Sequence, residues 1–326
     1  NRTKLPSSSK KDKLWGNYYS AYAGYANNQK IRDNASSGGA LTAITSYLLE
    51  QNKVSAVVHV GANKSKPYEN EVKISRTTQD LIENANSRYS PSAPLKSILE
   101  ILETVDSIAF IGKPCDIAAL RQFSKTNEMV SEKVKYYLSF FCAGVPSLNA
   151  TTNLIDHFKL NKDKMKSVHY RKGGWPGEFI IEDDQNNIRK MSYSESWLKW
   201  LGPNVQLRCK LCADGIGHLS DIVCADAWED FNDKGYPTFK NSPGKSIIIS
   251  RTLKGNELLK DVEQNHFIKK DKEFQSLREL DEIQPGQLHK KKYALPRMLA
   301  MKIMGKKTTK YNKEFVYGGF QFLDIR

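Results

Sequence analysis

"VDSIAFIGKPCDIAALRQF", residues 105–123, decides the fold class. Its first eight residues carry the apolar, β-branched character of a buried strand, and from Lys113 the pattern changes to that of a helix with Pro114 in its first turn. A buried strand that passes through a short polar turn into a helix is the unit of a parallel sheet. The order recurs in "KYYLSFFCAGVPS" (135–147), where an apolar strand ends at Cys142 and small residues, and Pro146 and Ser147 open a helix. Upstream, "YYSAYAGYA" (18–26) reads as a strand and "SSGGALTAITSYLLEQ" (36–51) as an amphipathic helix whose first turn is Ser36, Ser37, Gly38 and Gly39. "VSAVVHV" (54–60) adds another strand. The fold expected is α/β, a mostly parallel sheet flanked by helices, with ligands at the carboxyl ends of its strands.

After about residue 160 the texture changes. "MKSVHYRKGGWPGEFIIED" and "NNIRKMSY" read as antiparallel strands around glycine-rich turns, "SWLKWLG" as a short helix, and "DIVCADAW" and "KSIIIS" as short core strands. The expected division is a flexible arm over 1–17, an N-terminal α/β domain over 18–160 and a C-terminal α+β domain with antiparallel strands over 161–326.

Composition bounds the function. The 326 residues are 39% hydrophobic, 26% charged and 10% aromatic, enough to bury a core and unlike a disordered chain. No apolar run reaches the ~18 residues of a membrane span and no secretory signal pattern is present. The chain begins at Asn1 rather than at a methionine, which leaves room for an upstream segment. Five cysteines do not make a disulfide framework, so a reducing, cytoplasmic setting is expected. The formal charge of +14 favours acidic partners, whether nucleic acid, anionic lipid, a phosphorylated cofactor or an acidic redox protein, and serves equally as a soluble surface.

Four cysteines sit at turns. Cys115 and Cys142 each follow a strand, and Cys209 and Cys212 form a C-x-x-C loop in "RCKLCADGIGHLSDIVCADAW" (208–228). A metal centre of four thiolates needs its sulfurs to converge, and two strand-end cysteines plus one C-x-x-C loop supply that number. Zinc and an iron-sulfur cluster both suit such a set, and a redox-active C-x-x-C or inert thiols are the other readings. Cys224, on a strand, reads as a small buried residue.

"SSGGALTAITSYLLE", "NSRYSPSAPLKSI", "IAFIGKPCDIAALRQF", "SFFCAGVPS", the C-x-x-C block and "IIISRTLKGNELL" occur in the order of similar blocks in the coenzyme F420 hydrogenase/dehydrogenase β-subunit family. The chain resembles that family from about residue 20 to 300. Chlorophyll-cycle reductases and proteins of bacterial polysaccharide loci belong to it too. The resemblance implies a flavin, FAD before FMN, beside a 4Fe-4S cluster held by Cys115, Cys142, Cys209 and Cys212. It also implies that iron-sulfur is favoured over zinc. Two departures stand out: many relatives carry a cysteine-rich ferredoxin-like module before the first strand, whereas no cysteine precedes Cys115 here, and Cys224 replaces a small residue such as glycine.

Candidate cofactor contacts follow. Ser36, Ser37, Gly38 and Gly39 at a helix start offer N–H groups, hydroxyls and the positive end of the dipole to a pyrophosphate. Arg88, Lys113, Arg251 and Thr252 lie in loops of other matching blocks and are candidates to neutralise phosphate or contact the ring. His218 is the candidate acid or base, with His169 behind it, Trp175 is a candidate stacking ring, and Asp226 with Trp228 is expected to pack the cofactor region.

The function implied is an oxidoreductase that couples a one-electron donor, ferredoxin-like, or reduced deazaflavin to hydride transfer at the flavin, with an anionic or sugar-linked substrate. The alternatives are an electron-transfer subunit of a larger complex and a zinc-bearing nucleic-acid-binding protein. The second is disfavoured by the lack of a local finger or ribbon, so no nucleic-acid partner is expected. Leu295, Met298, Leu299, Met301 and Ile303 of the basic tail are expected to pack a terminal helix on the core, with peripheral contact to an anionic membrane or an acidic ferredoxin as the alternative.

Overall fold

Val, Ile, Tyr and Phe crowd the short runs singled out above, and such residues pair best on a pleated surface. The computed structural model describes residues 10–311 and 313–316. Its described strands are β1 Lys10–Asp12, β2 Gly16–Tyr18, β3 Ser20–Ala26, β4 Ala56–Ala62, β5 Asn70–Ser75, β6 Ile108–Gly112, β7 Val134–Phe140, β8 Met165–Lys172, β9 Glu178–Asp183, β10 Ile188–Ser192, β11 Ile222–Asp226, β12 Ser246–Ser250 and β13 Ile268–Glu273. The helices that matter here are α1 Ala40–Glu50, α2 Pro114–Phe123, α3 Leu148–His157, α4 Leu207–Lys210, α5 Leu253–Gln264, α6 Pro285–Lys292 and α7 Ala294–Ile303.

Eight strands form one sheet in the order β13-β3-β12-β11-β7-β6-β4-β5. Its centre, β11-β7-β6-β4, is parallel, and every pair outside that block is antiparallel. The class is α/β as the strand–turn–helix units require. At one edge β5 returns on β4 as a hairpin, and at the other β13 reaches β3 by a crossover through α5 and pairs with it antiparallel. A second sheet, β10-β9-β8, is wholly antiparallel and holds the glycine-rich stretch near its edge.

Successive strand residues point to opposite faces, and the two cores show it. Val57 and Ala109 pack on one side with Ile44 and Leu48 of α1 and Leu258 and Leu259 of α5. Val58 and Phe110 pack on the other with Ile117 and Leu120 of α2. Burying each of these Val, Leu, Ile and Phe side chains is worth about 1.5–3 kcal/mol.

Three expectations change. Residues 10–17 are no loose arm: β1 pairs with β2, and Leu14 and Trp15 between them are fully buried. Residues 1–9 of that arm lie outside the described residues. β11, β12 and β13 hydrogen-bond into the same sheet as β3, so the segments before and after residue 160 share one sheet. In the basic tail, α7 turns Ala294 and Met298 onto the core but leaves Ile303 87% exposed, so only part of its apolar face is packed. Among the described residues no helix is long and apolar enough to cross a membrane.

Candidate functional site

Because β4, β6, β7 and β11 run in the same direction, their carboxyl ends open on one rim. Val60, Gly112, Phe141, Cys142 and Asp226, at or just past those ends, line a cavity of about 350 Å³, within the range of ligand clefts.

The start of α1 forms part of the cavity lining. The helix begins at Ala40, not at Ser36, because Gly39 caps it in the left-handed region at φ +76°. Ser36, Ser37, Gly38 and Gly39 are therefore the loop before the helix. The Ser36 hydroxyl accepts from the Ser87 N–H at 2.6 Å, and Ser37 donates to the Lys245 carbonyl at 2.9 Å. Gly38 is there for close approach: a Cβ would stand 2.7 Å from the Ser246 nitrogen. Ala40, Leu41 and Thr42 line the cavity with Ser36, Ser37 and Gly39. The first N–H groups of a helix have no intrahelical acceptor, so this end suits an anion.

The wall beside it is ordered by arginine and lysine. Arg88 lines the cavity, yet its guanidinium is committed to the Asn70 side chain and to the carbonyls of Val168, Pro67 and Glu69 at 2.6–3.0 Å. Lys113 also lines it, held 2.6 Å from Asp116 and 2.8 Å from the Ser92 hydroxyl. Deeper in, Arg171 makes two 2.9 Å bonds to Asp226 and donates to the Pro176 carbonyl. Trp175 donates to the same carboxylate at 2.9 Å and stacks on Trp228, so its face is already occupied. Burial works against the charge of Arg171, but Asp226 outweighs it and the pKa is raised. His59 also lines the cavity, 2.8 Å from the Ser75 hydroxyl, and burial pushes its pKa down to about 4.

The four candidate cysteines lie in four places: the first turn of α2, the turn just past β7, α4 and the turn after it. Cys142 lines the cavity. Its thiol is pushed up first by burial, with Lys290 and the Gly144 backbone pulling down and Cys209 and Cys212 pushing up. Cys115, which is outside the cavity lining, is pushed up to about 12 by desolvation of the thiol, then by Asp116, against Lys113, and by Cys142 and Cys212. The Val145 N–H lies 3.5 Å from the Cys209 sulfur. Cys142 thus lies near Cys209 and Cys212, and Cys115 near Cys142 and Cys212. Among the described residues, no group of three or more His, Cys, Asp or Glu side chains is arranged to hold a metal ion. Cys224 is buried on β11, and burial alone pushes it to about 12 with no contribution from the other thiols.

The remaining candidates fall outside the cavity lining. His218 is buried, 2.9 Å from Asp214 and 3.4 Å from Lys291, and burial first, then Lys291, lowers it to about 4 against the pull of Asp214. Arg251 is fully buried and donates to the carbonyls of Trp15, Asn17 and Ile216. Thr252 caps α5, accepting from the Gly255 N–H at 3.0 Å and donating to Asp221. Arg171, His59, Gln284 and Gln287 line the cavity and carry no local signal in the sequence; "GGWPG" beside Arg171 was the nearest hint.

Residues 21–100 match the family sequence model described as coenzyme F420 hydrogenase/dehydrogenase, beta subunit N-term, and residues 105–275 the corresponding C terminus. The chain is 23% identical over 253 residues to a coenzyme F420 hydrogenase subunit beta of Methanosarcina barkeri, covering 76% of this chain and 79% of that protein. It is 25% identical over 245 residues to an F420-dependent formate dehydrogenase subunit beta of Methanocaldococcus jannaschii, covering 75% of this chain and 59% of that one. A chain in the solved F420-reducing NiFe hydrogenase complex from Methanosarcina barkeri superposes with a TM-score of 0.70 at 20% identity, over 92% of this chain and 98% of that chain. That likeness is one of fold.

Proposed function

Since the chain belongs to the coenzyme F420 hydrogenase/dehydrogenase β-subunit family, we propose that it is an iron-sulfur flavoprotein that passes electrons between a one-electron carrier or reduced deazaflavin and an anionic organic substrate. Its relatives are subunits of oxidoreductases, which supports electron transfer and favours this class over a zinc-bearing nucleic-acid protein. The observation that carries the reading is the cavity itself: one space lined both by the start of α1 and by Cys142.

A bound flavin would supply hydride and single-electron exchange, and a 4Fe-4S cluster single-electron exchange. The residues present suit both groups in kind. The N–H groups at the start of α1, with Ser36 and Ser37, would hold phosphates. The Arg171–Asp226 pair fixes the wall against which a ring would lie, and Lys113 keeps a cation at the strand end. Cys115, Cys142, Cys209 and Cys212 would hold the cluster, their donor set being all thiol. His218, Arg251 and Thr252 serve the scaffold in this reading.

A second reading, a subunit that relays electrons while another chain binds the substrate, is favoured by the relatives' standing as β-subunits and by the multi-subunit complex that holds the structural neighbour. Anaerobic purification followed by a visible spectrum and metal analysis tests the proposal. Flavin bands over a broad cluster shoulder, with iron, are expected. A colourless protein carrying one zinc would overturn both readings.

A further inference from the structure

Two glutamines of "QPGQ" (284–287) reach the cavity and are used differently. Gln284 donates to the Asp226 carbonyl at 2.5 Å. Gln287, at 5% exposure, has no partner for its Oε1. A buried amide oxygen without a donor carries the full cost of its lost hydration. Ser90 Oγ in the same lining is buried without a partner too, but Gln287 Oε1 can only accept, and such an atom in a cavity wall marks where a ligand supplies the missing N–H.

Its position is fixed by its neighbours. Gly215 has no side chain where a Cβ would stand 2.4 Å from Gln287 Oε1 and 3.1 Å from the Cys142 carbonyl. One turn further along α6, Lys290 donates to that same carbonyl at 2.9 Å. Gln287 therefore lies beside Cys142 in the cavity wall, which is the cysteine side of the cavity.

We infer that Gln287 reads the heterocyclic ring of the ligand: its Oε1 accepts the imide N–H of an isoalloxazine lodged at the cysteine side, which directs the phosphates toward the start of α1. The inference rests on the flavin reading above and adds to it an orientation and a residue. A flavin's imide presents a donor between two carbonyls, which matches a glutamine amide that has both its oxygen and its nitrogen to offer. The reverse orientation would put adenine against Gln287, and the two differ in which fragment loses affinity when the amide is removed.

The test titrates riboflavin, FAD and ADP separately against the full apo chain, reading fluorescence or calorimetry, with circular dichroism to check the fold. Gln287→Leu is expected to weaken riboflavin and FAD about tenfold while leaving ADP within about twofold. Gln287→Glu, which keeps an acceptor, should restore riboflavin to within about threefold of wild type. If Gln287→Leu does not fold, Gly215→Ala serves instead, because its new Cβ displaces the amide oxygen and should weaken riboflavin in the same direction. Unchanged riboflavin affinity in Gln287→Leu, or a loss confined to ADP, would overturn the inference with the flavin reading intact. Failure of the wild-type chain to bind riboflavin or FAD would overturn the flavin reading and this inference with it.

Discussion

Two clusters of buried charge in this protein are built in opposite ways. At the cavity wall Arg171 meets one carboxylate, Asp226, in a two-bond pair, and the pKa of the arginine is raised. Behind the C-x-x-C loop three basic groups, His218, Lys291 and Arg251, share the carboxylate of Asp214, with Asp12 adding only to Arg251. There burial prevails, lowering Arg251 to about 10, Lys291 to about 8 and His218 to about 4. The first cluster is a rigid, neutralised wall. The second is a scaffold in which Arg251 and Lys291 are held chiefly by backbone carbonyls, three of them on Arg251, and His218 stays neutral against Asp214. Depth of burial is alike in the two; the number of carboxylates per cation decides the difference.

Cutting each arginine probes that difference most strongly. Arg171→Met leaves Asp226 without its cation and is expected to cost about 3–5 kcal/mol in urea unfolding. Arg251→Met removes a poorly compensated charge and orphans three carbonyls, so a smaller loss of about 1–3 kcal/mol is expected. Equal losses would erase the distinction.

Acid gives the next largest effect. His59 on the cavity wall has a folded pKa of about 4, below the ordinary value of 6.5, so the fold favours its neutral form. Its contribution is complete above pH 6.5 and is lost as pH falls toward 4, on the order of 2 kcal/mol between pH 7 and pH 5. Urea midpoints at the two pH values should show a slope that His59→Asn flattens by that amount; an unchanged slope would mean that His59 is solvated. The smallest effect separates scaffold from site. Thr252→Ala should cost about 1 kcal/mol through the lost cap of α5 and leave FAD affinity unaltered; weakened FAD binding would return Thr252 to the cofactor.

What the sequence made legible follows from the range of the interactions. The strand–turn–helix units at 105–123 and 135–157 depend on neighbours a few residues apart, and they stand where the pattern put them. The helix start at 36–40 was displaced by four residues because Gly39 turns left-handed, which a period of 3.6 does not record. Arg171 and Asp226 are 55 residues apart, and Arg251 reaches back to Trp15, so neither role could be read locally. Arg251 looked exposed in "SRTLKG" because its neighbours are polar; the acceptors that bury it come from β2 and the turn before β11. Cys224 was set apart correctly as a buried thiol by its place in an apolar strand.

The central proposal is that four cysteines from distant segments hold one cluster beside the cavity, and iron content after anaerobic reconstitution tests it most directly. Wild type and Cys224→Ser are predicted to retain about four irons per chain with the cluster absorbance, whereas Cys115→Ser loses both. Full iron in Cys115→Ser, or its loss in Cys224→Ser, would contradict the account.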